Sequence, residues 1–139
     1  MKFMKIDKVH KWEQAIVTLL NFDGWNLEWC GKGYEHYDAK GYTPKGKCCV
    51  IEMKFRKTHY KDKMIEKYKY EKLIKEDCVA LYFVNDPSGN YLFWLNDLEM
   101  PEEVNMFCPD TTLWTKKKIQ KPCYLIPENL AHRVQSYNN

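Results

Sequence analysis

Residues 37–57 read YDAKGYTPKGKCCVIEMKFRK, and no other stretch constrains the fold as much. The run Cys48-Cys49-Val50-Ile51 has the character of a strand buried on both faces. It leads straight into Glu52 and Lys54, two charges at the end of what should be a core element. Upstream lies Asp38, separated from them by the turn signal Thr43-Pro44-Lys45-Gly46. The segment therefore reads as two antiparallel strands, 34–42 and 47–55. A turn centred on Lys45 sets Asp38 opposite Glu52, with Cβ atoms about 4.5–5.5 Å apart. Carboxylates that close repel unless a cation lies between them, and a hard ion such as Mg²⁺ takes carboxylate oxygens at about 2.1 Å. Lys54 follows on the same face, about 6.6 Å further along the strand. Its ammonium can hold a water or a phosphate oxygen beside such an ion. The opposite face carries Cys49, Ile51, Met53 and Phe55, an unbroken apolar line. An edge strand with one wet face also alternates charge and hydrophobe, so spacing alone leaves both a site and a solvated strand open.

The rest of the chain supplies a setting. Residues 8–21 read as an amphipathic helix, with Val9, Trp12, Ala15, Ile16, Val17, Leu19 and Leu20 on one wide arc. Glu13 falls inside that arc, and Gly24 is the expected terminator. Residues 25–33 read as a strand, 60–75 as a helix whose apolar positions form no single stripe, and 78–84 and 91–95 as a hairpin. The end is less regular, with a strand at 123–127 and a short helix at 128–134. The order helix, three strands, helix, two strands specifies an α/β fold: a mixed sheet of about five strands flanked by helices. A length of 139 residues suits a single domain, 1–139, and 45% hydrophobic residues suffice for a core.

No run of eighteen apolar residues exists, so no membrane span is expected. The first residues lack the apolar stretch of a signal peptide, which points to the cytoplasm. Six cysteines without Cys-x-x-Cys spacing are then expected to be buried free thiols. Net charge is only +3, but lysines concentrate at 54–75 and in the cluster TKKKIQK at 115–121. Basic clusters interleaved with Tyr60, Tyr68 and Tyr70 suit a polyanion partner, or equally a solvated helix face with packed tyrosines.

Asp38 followed by Glu52-Met53-Lys54 resembles the motif of the PD-(D/E)XK nuclease superfamily, with its restriction-endonuclease-like fold. The segment WEQAIVTLLNFDGWNL, where Glu13 precedes Gly24-Trp25, is similar to the first helix of Holliday-junction-resolvase-type nucleases. The likeness covers about residues 9–84. Tyr37 stands where the family often has proline.

The resemblance implies metal-dependent hydrolysis of DNA, structure-selective rather than sequence-specific. Asp38, Glu52 and the Met53 carbonyl would hold Mg²⁺ or Mn²⁺. Glu13 would take a second ion or a metal-bound water, unless it is a surface residue at the edge of the helix face. Lys54 would orient the attacking water. Arg56, Lys57, Lys61, Lys63, Lys67, Lys69 and Lys72, most of them on the second helix, would hold phosphates. RNA is not excluded as the substrate, and homodimerisation would suit paired cuts. A different reading is a non-catalytic module on the same fold, binding nucleic acid or protein as a viral or mobile-element accessory.

Overall fold

A computed structural model describes residues 6–109 and 117–137. Its spine is β3 (Cys48–Phe55), as the apolar run requires. β2 (Ala39–Tyr42) pairs with β3 antiparallel, with Tyr42 opposite Cys48 and Ala39 opposite Ile51. This is the register expected from the turn. β1 (Asn26–Trp29) flanks β2. On the other side β5 (Val79–Asp86) runs parallel to β3. β6 (Gly89–Trp94) returns antiparallel to β5, and β9 (Arg133–Ser136) closes the edge. The main sheet thus has six strands in the order β1-β2-β3-β5-β6-β9 and is mixed.

Helix α1 (Ile6–Phe22) covers one face of this sheet. Val17 packs with Ile51, Met53, Leu81 and Phe83, and Ile16 and Leu20 lie against the same cluster. Ala15 and Leu19 of the expected arc face solvent. The buried side therefore centres nearer Glu13, which is itself only 4% exposed. Its reading as a surface residue at the edge of the helix does not hold.

The opposite face departs from expectation. Residues 60–75 do not form one helix: β4 (Asp62–Glu66) comes first, and α2 (Lys67–Ile74) follows. The lack of a single apolar stripe has this cause. Lys63 and Ile65 alternate inward as in a strand, and only then does a helical period begin. β4 joins β8 (Lys118–Pro127) and β7 (Val104–Pro109) in a second, three-stranded sheet. Ile65 and Ile126 from this sheet and Leu73 from α2 pack on Val50, Tyr82 and Phe93 of the main sheet. The expected terminal helix is a single 3-10 turn, Glu128–Leu130, followed by β9. In the expected basic cluster 115–121, Thr115 and Lys116 lie outside the described residues. All six cysteines are free; Cys49, Cys108 and Cys123 are buried, and the other three are only half-buried.

A buried ion pair joins the two sheets. Lys63 of β4 sends its ammonium 2.8 Å from Asp86 Oδ2 of β5 and 3.1 Å from Glu128 Oε2, and it also donates to the Tyr60 carbonyl. The same ammonium stands 4.2 Å above the Tyr91 ring. Burial alone would raise the Asp86 carboxyl, but Lys63, Ser88 and His59 hold it down at about 2. Its contribution to stability is therefore complete above its ordinary value near 4 and lost as pH falls towards 2. Lys63→Ala leaves that carboxylate buried without its partner. It should cost about 3–5 kcal/mol, read as a shift in the urea midpoint, and Asp86→Asn should lose the acid-dependent step of unfolding.

Candidate active site

The charged end of β3 opens into a cleft of about 360 Å³. Glu13, Asp38, Glu52, Met53 and Lys54 all line it, as do Arg56, Lys57 and Lys69. Each carboxylate arrives on a different element. Glu13 comes from α1, where its Oε1 accepts a hydrogen bond from Trp29 Nε1 at 3.0 Å. Glu52 comes from β3, on the face opposite the Met53 core line. Asp38 stands just before β2, at the point where the ladder with β3 ends.

That end point corrects one detail of the expected hairpin. The Asp38 N–H donates to the Ile51 carbonyl at 2.8 Å, while Ala39 is already the partner of Ile51. Two residues thus face one, the pattern of a β-bulge. Asp38 is not presented squarely to Glu52. Its Oδ2 instead accepts the backbone N–H of Met53 at 2.8 Å, which turns the carboxyl along β3 and into the cleft. A bulge re-aims a side chain in this way.

The electrostatics follow from burial. Desolvation, then the nearby Asp38 charge, pushes Glu13 up to about 7 against the pull of the Trp29 hydrogen bond. Glu52 is raised for the same two reasons, desolvation and Asp38, with Lys69 and Lys54 pulling it back. Asp38 is raised by desolvation, although the Met53 N–H, Lys69 and Lys54 counter it. Lys54 is lowered, by desolvation first and then by the charges of Lys69 and Arg56. Glu13 and Glu52, raised by burial and by the Asp38 charge, mark a site short of positive charge beside its carboxyls.

The donor set suits a hard divalent cation. It consists of carboxylate oxygens from three elements, each disfavoured as an anion by its surroundings. Among the described residues, no three His, Cys, Asp or Glu side chains are grouped closely enough to hold an ion outright. Asp38 and Glu52 each already engage a protein donor, the Met53 N–H and the Lys69 ammonium. A cation here would draw first on Asp38, Glu52 and the Met53 carbonyl, with Glu13 completing the set.

The lysines divide. Arg56 and Lys57 lie on the cleft wall, and Lys61 is exposed just before β4. Lys63, expected on a helix to hold phosphate, is instead the buried link between the sheets and is closed to any ligand. Lys67 pairs with Glu103 at 3.2 Å, and the Lys72 ammonium rests over the exposed Tyr68 ring at 4.3 Å. Tyr70 packs edge-on against Tyr124. Lys69 reaches the carboxylates themselves, 3.5 Å from Glu52 Oε1 and 3.4 Å from Glu66 Oε2.

Glu66 and the rim residues Phe107 and Pro109 were not anticipated, nor was the pairing of Lys121, from the expected basic cluster, with Glu66. The Glu66-x-x-Lys69 spacing was a readable local signal, whereas Lys121 and the β7 rim arrive through the second sheet. Carboxyl groups raised above their ordinary range favour the fold while protonated. That contribution is complete below about pH 4.5 and lost as pH rises towards 7. Replacing Glu13 and Glu52 by glutamine should therefore stabilise the metal-free protein at pH 7.5 more than at pH 5. Mn²⁺ should raise the wild-type melting temperature more at pH 7.5 than at pH 5, which calorimetry at the two values would check.

No protein-family model matches the chain, and no curated protein sequence matches it significantly. Among solved structures, it is similar to Hjc, a Holliday junction resolvase from the archaeal hyperthermophile Archaeoglobus fulgidus. The TM-score is 0.60 at 15% sequence identity, over 91% of this chain and 89% of that one. At this identity the likeness establishes the architecture: a mixed sheet flanked by helices, consistent with the restriction-endonuclease-like fold.

Proposed function

We propose that the protein is a metal-dependent nuclease that hydrolyses phosphodiester bonds in DNA, preferring branched or junction structures. The observation that carries this reading is the convergence of Glu13, Asp38, Glu52 and Lys54 on one cleft at the end of β3. The architectural likeness to a junction-resolving nuclease supports it.

Asp38, Glu52 and the Met53 carbonyl would hold Mg²⁺ or Mn²⁺, which when bound lowers the pKa of water and offsets the charge that builds at phosphorus. The chain's own residues do the rest. The Met53 N–H fixes the Asp38 carboxyl, so one oxygen keeps its direction as substrate arrives. Trp29 fixes Glu13 through Oε1, and Glu13 lines the cleft. From that position the Glu13 carboxylate can accept a proton from an attacking water. Lys54 places its ammonium against the non-bridging phosphate oxygens, where charge develops in the transition state. Water adds to phosphorus, the bond to the leaving oxygen breaks, and that oxygen takes up a proton. Arg56 and Lys57 on the wall, and Lys61, Lys67 and Lys72 beyond it, hold neighbouring phosphates without reading sequence. Cutting both strands of a branch would need two such sites, as a homodimer would provide.

The test uses labelled single-stranded, duplex and four-way-junction DNA, and RNA, each with Mg²⁺ or Mn²⁺. The wild type should cut junction DNA fastest. Asp38→Asn and Lys54→Ala should each lower the rate at least about a hundredfold while leaving DNA affinity within a few-fold. Lys57→Ala should weaken binding to all sequences alike and reduce the salt slope by about 1. Binding without cleavage of any substrate would favour a non-catalytic nucleic-acid-binding module instead.

A further inference from the structure

Lys69 lines the cleft, and the chemistry above gives it no task. It sits in the first turn of α2, at the positive end of the helix dipole, where a cation is disfavoured. Two carboxylates compensate, Glu52 at 3.5 Å and Glu66 at 3.4 Å. The near-equal distances mean that the ammonium is shared between them. Glu66 is anchored independently, because its other oxygen meets the Lys121 ammonium at 2.9 Å. The Glu52 side chain is 11% exposed and that of Lys69 is 39% exposed. The ammonium therefore caps a buried carboxylate from the open side of the cleft. Its four-carbon stem can swing away without any movement of α2.

We propose that Lys69 is the resident counter-ion of the carboxylate site, and that a divalent cation loads by exchange with it. The incoming ion takes the Glu52 oxygen that Lys69 holds, and the ammonium shifts fully onto Glu66. Lys69 is thus a positioning residue: it holds the Glu52 carboxyl in place while the site waits, and it sets how tightly the ion is held. This inference rests on the reading of the cleft as a cation site.

Mn²⁺ binding without nucleic acid, followed by calorimetry and by the electron spin resonance of free Mn²⁺, separates the two ideas. Lys69→Met should bind Mn²⁺ about twofold to fivefold tighter than the wild type, the scale of a part-exposed ion pair. Lys69→Arg, which keeps the charge, should stay near the wild type. Lys75→Met removes the same charge from the far end of the same helix, outside the cleft, so it should leave Mn²⁺ binding unchanged. If Lys69→Met does not fold, Lys69→Gln makes the same comparison. Unchanged or weaker binding in the Lys69 variant, with binding still lost in Glu52→Gln, overturns the exchange and leaves the cation site standing. Equal binding by the wild type and Glu52→Gln overturns both.

Discussion

A carboxylate taken out of water at the end of a core strand is the constraint from which the rest of this structure follows. Glu52 lies on β3, whose alternate residues Ile51 and Met53 belong to the main hydrophobic core. It cannot withdraw to solvent without shifting the register of the strand that carries that core. Asp38 is brought to the same place by the bulge before β2, and Glu13 by the buried side of α1. Burial raises each carboxyl above its ordinary range, and the Asp38 charge raises Glu13 and Glu52 further. Such an arrangement is unfavourable for stability alone, and it persists because the apolar packing behind it is extensive. Strain of this kind, stored where it is useful, is typical of functional sites.

The second layer completes the cleft instead of merely covering the sheet. β4 delivers Glu66, α2 delivers Lys69, and the end of β7 brings Phe107 and Pro109 to the rim. The Lys63–Asp86 pair fixes this layer to β5, so the far wall of the cleft depends on a charge pair outside it. The result is a graded set of cations. Lys63 is buried between the sheets on Asp86, Lys69 lies between Glu52 and Glu66, and Lys54, Arg56 and Lys57 line the cleft. Lys54, Lys57, Lys63 and Lys69, four of the six lysines between residues 54 and 69, thus occupy different electrostatic environments, set by burial and by partners rather than by residue type.

The sheet and its register were legible because the signals were local. A Pro-Lys-Gly turn with an apolar run on one side determines which residues pair, and Ala39 does face Ile51. The opposed faces of β3 were likewise written in its alternation. The bulge at Asp38 was not legible, because it depends on a side-chain-to-backbone hydrogen bond with Met53. Residues 60–66 misled for a different reason. Lysine, methionine and glutamate suit a helix by propensity, but the pairing of β4 with β8 and the burial of Lys63 on Asp86 are long-range facts. Tertiary partners overrode local preference there. The place of Lys69 was half legible, since its position on a helix near the site was expected, but its pairing with Glu52 comes only from the way α2 follows β4.

The central claim is that the carboxylates at the end of β3 form a cation site. Crystals grown without metal and soaked in Mn²⁺, measured for anomalous scattering, test it directly. The account requires a peak within coordination distance, about 2.0–2.3 Å, of Asp38, Glu52 and the Met53 carbonyl, and its absence in crystals of Asp38→Asn. Mn²⁺ peaks only elsewhere on the molecule, with the cleft carboxylates still bonded to Met53 and Lys69, would contradict it.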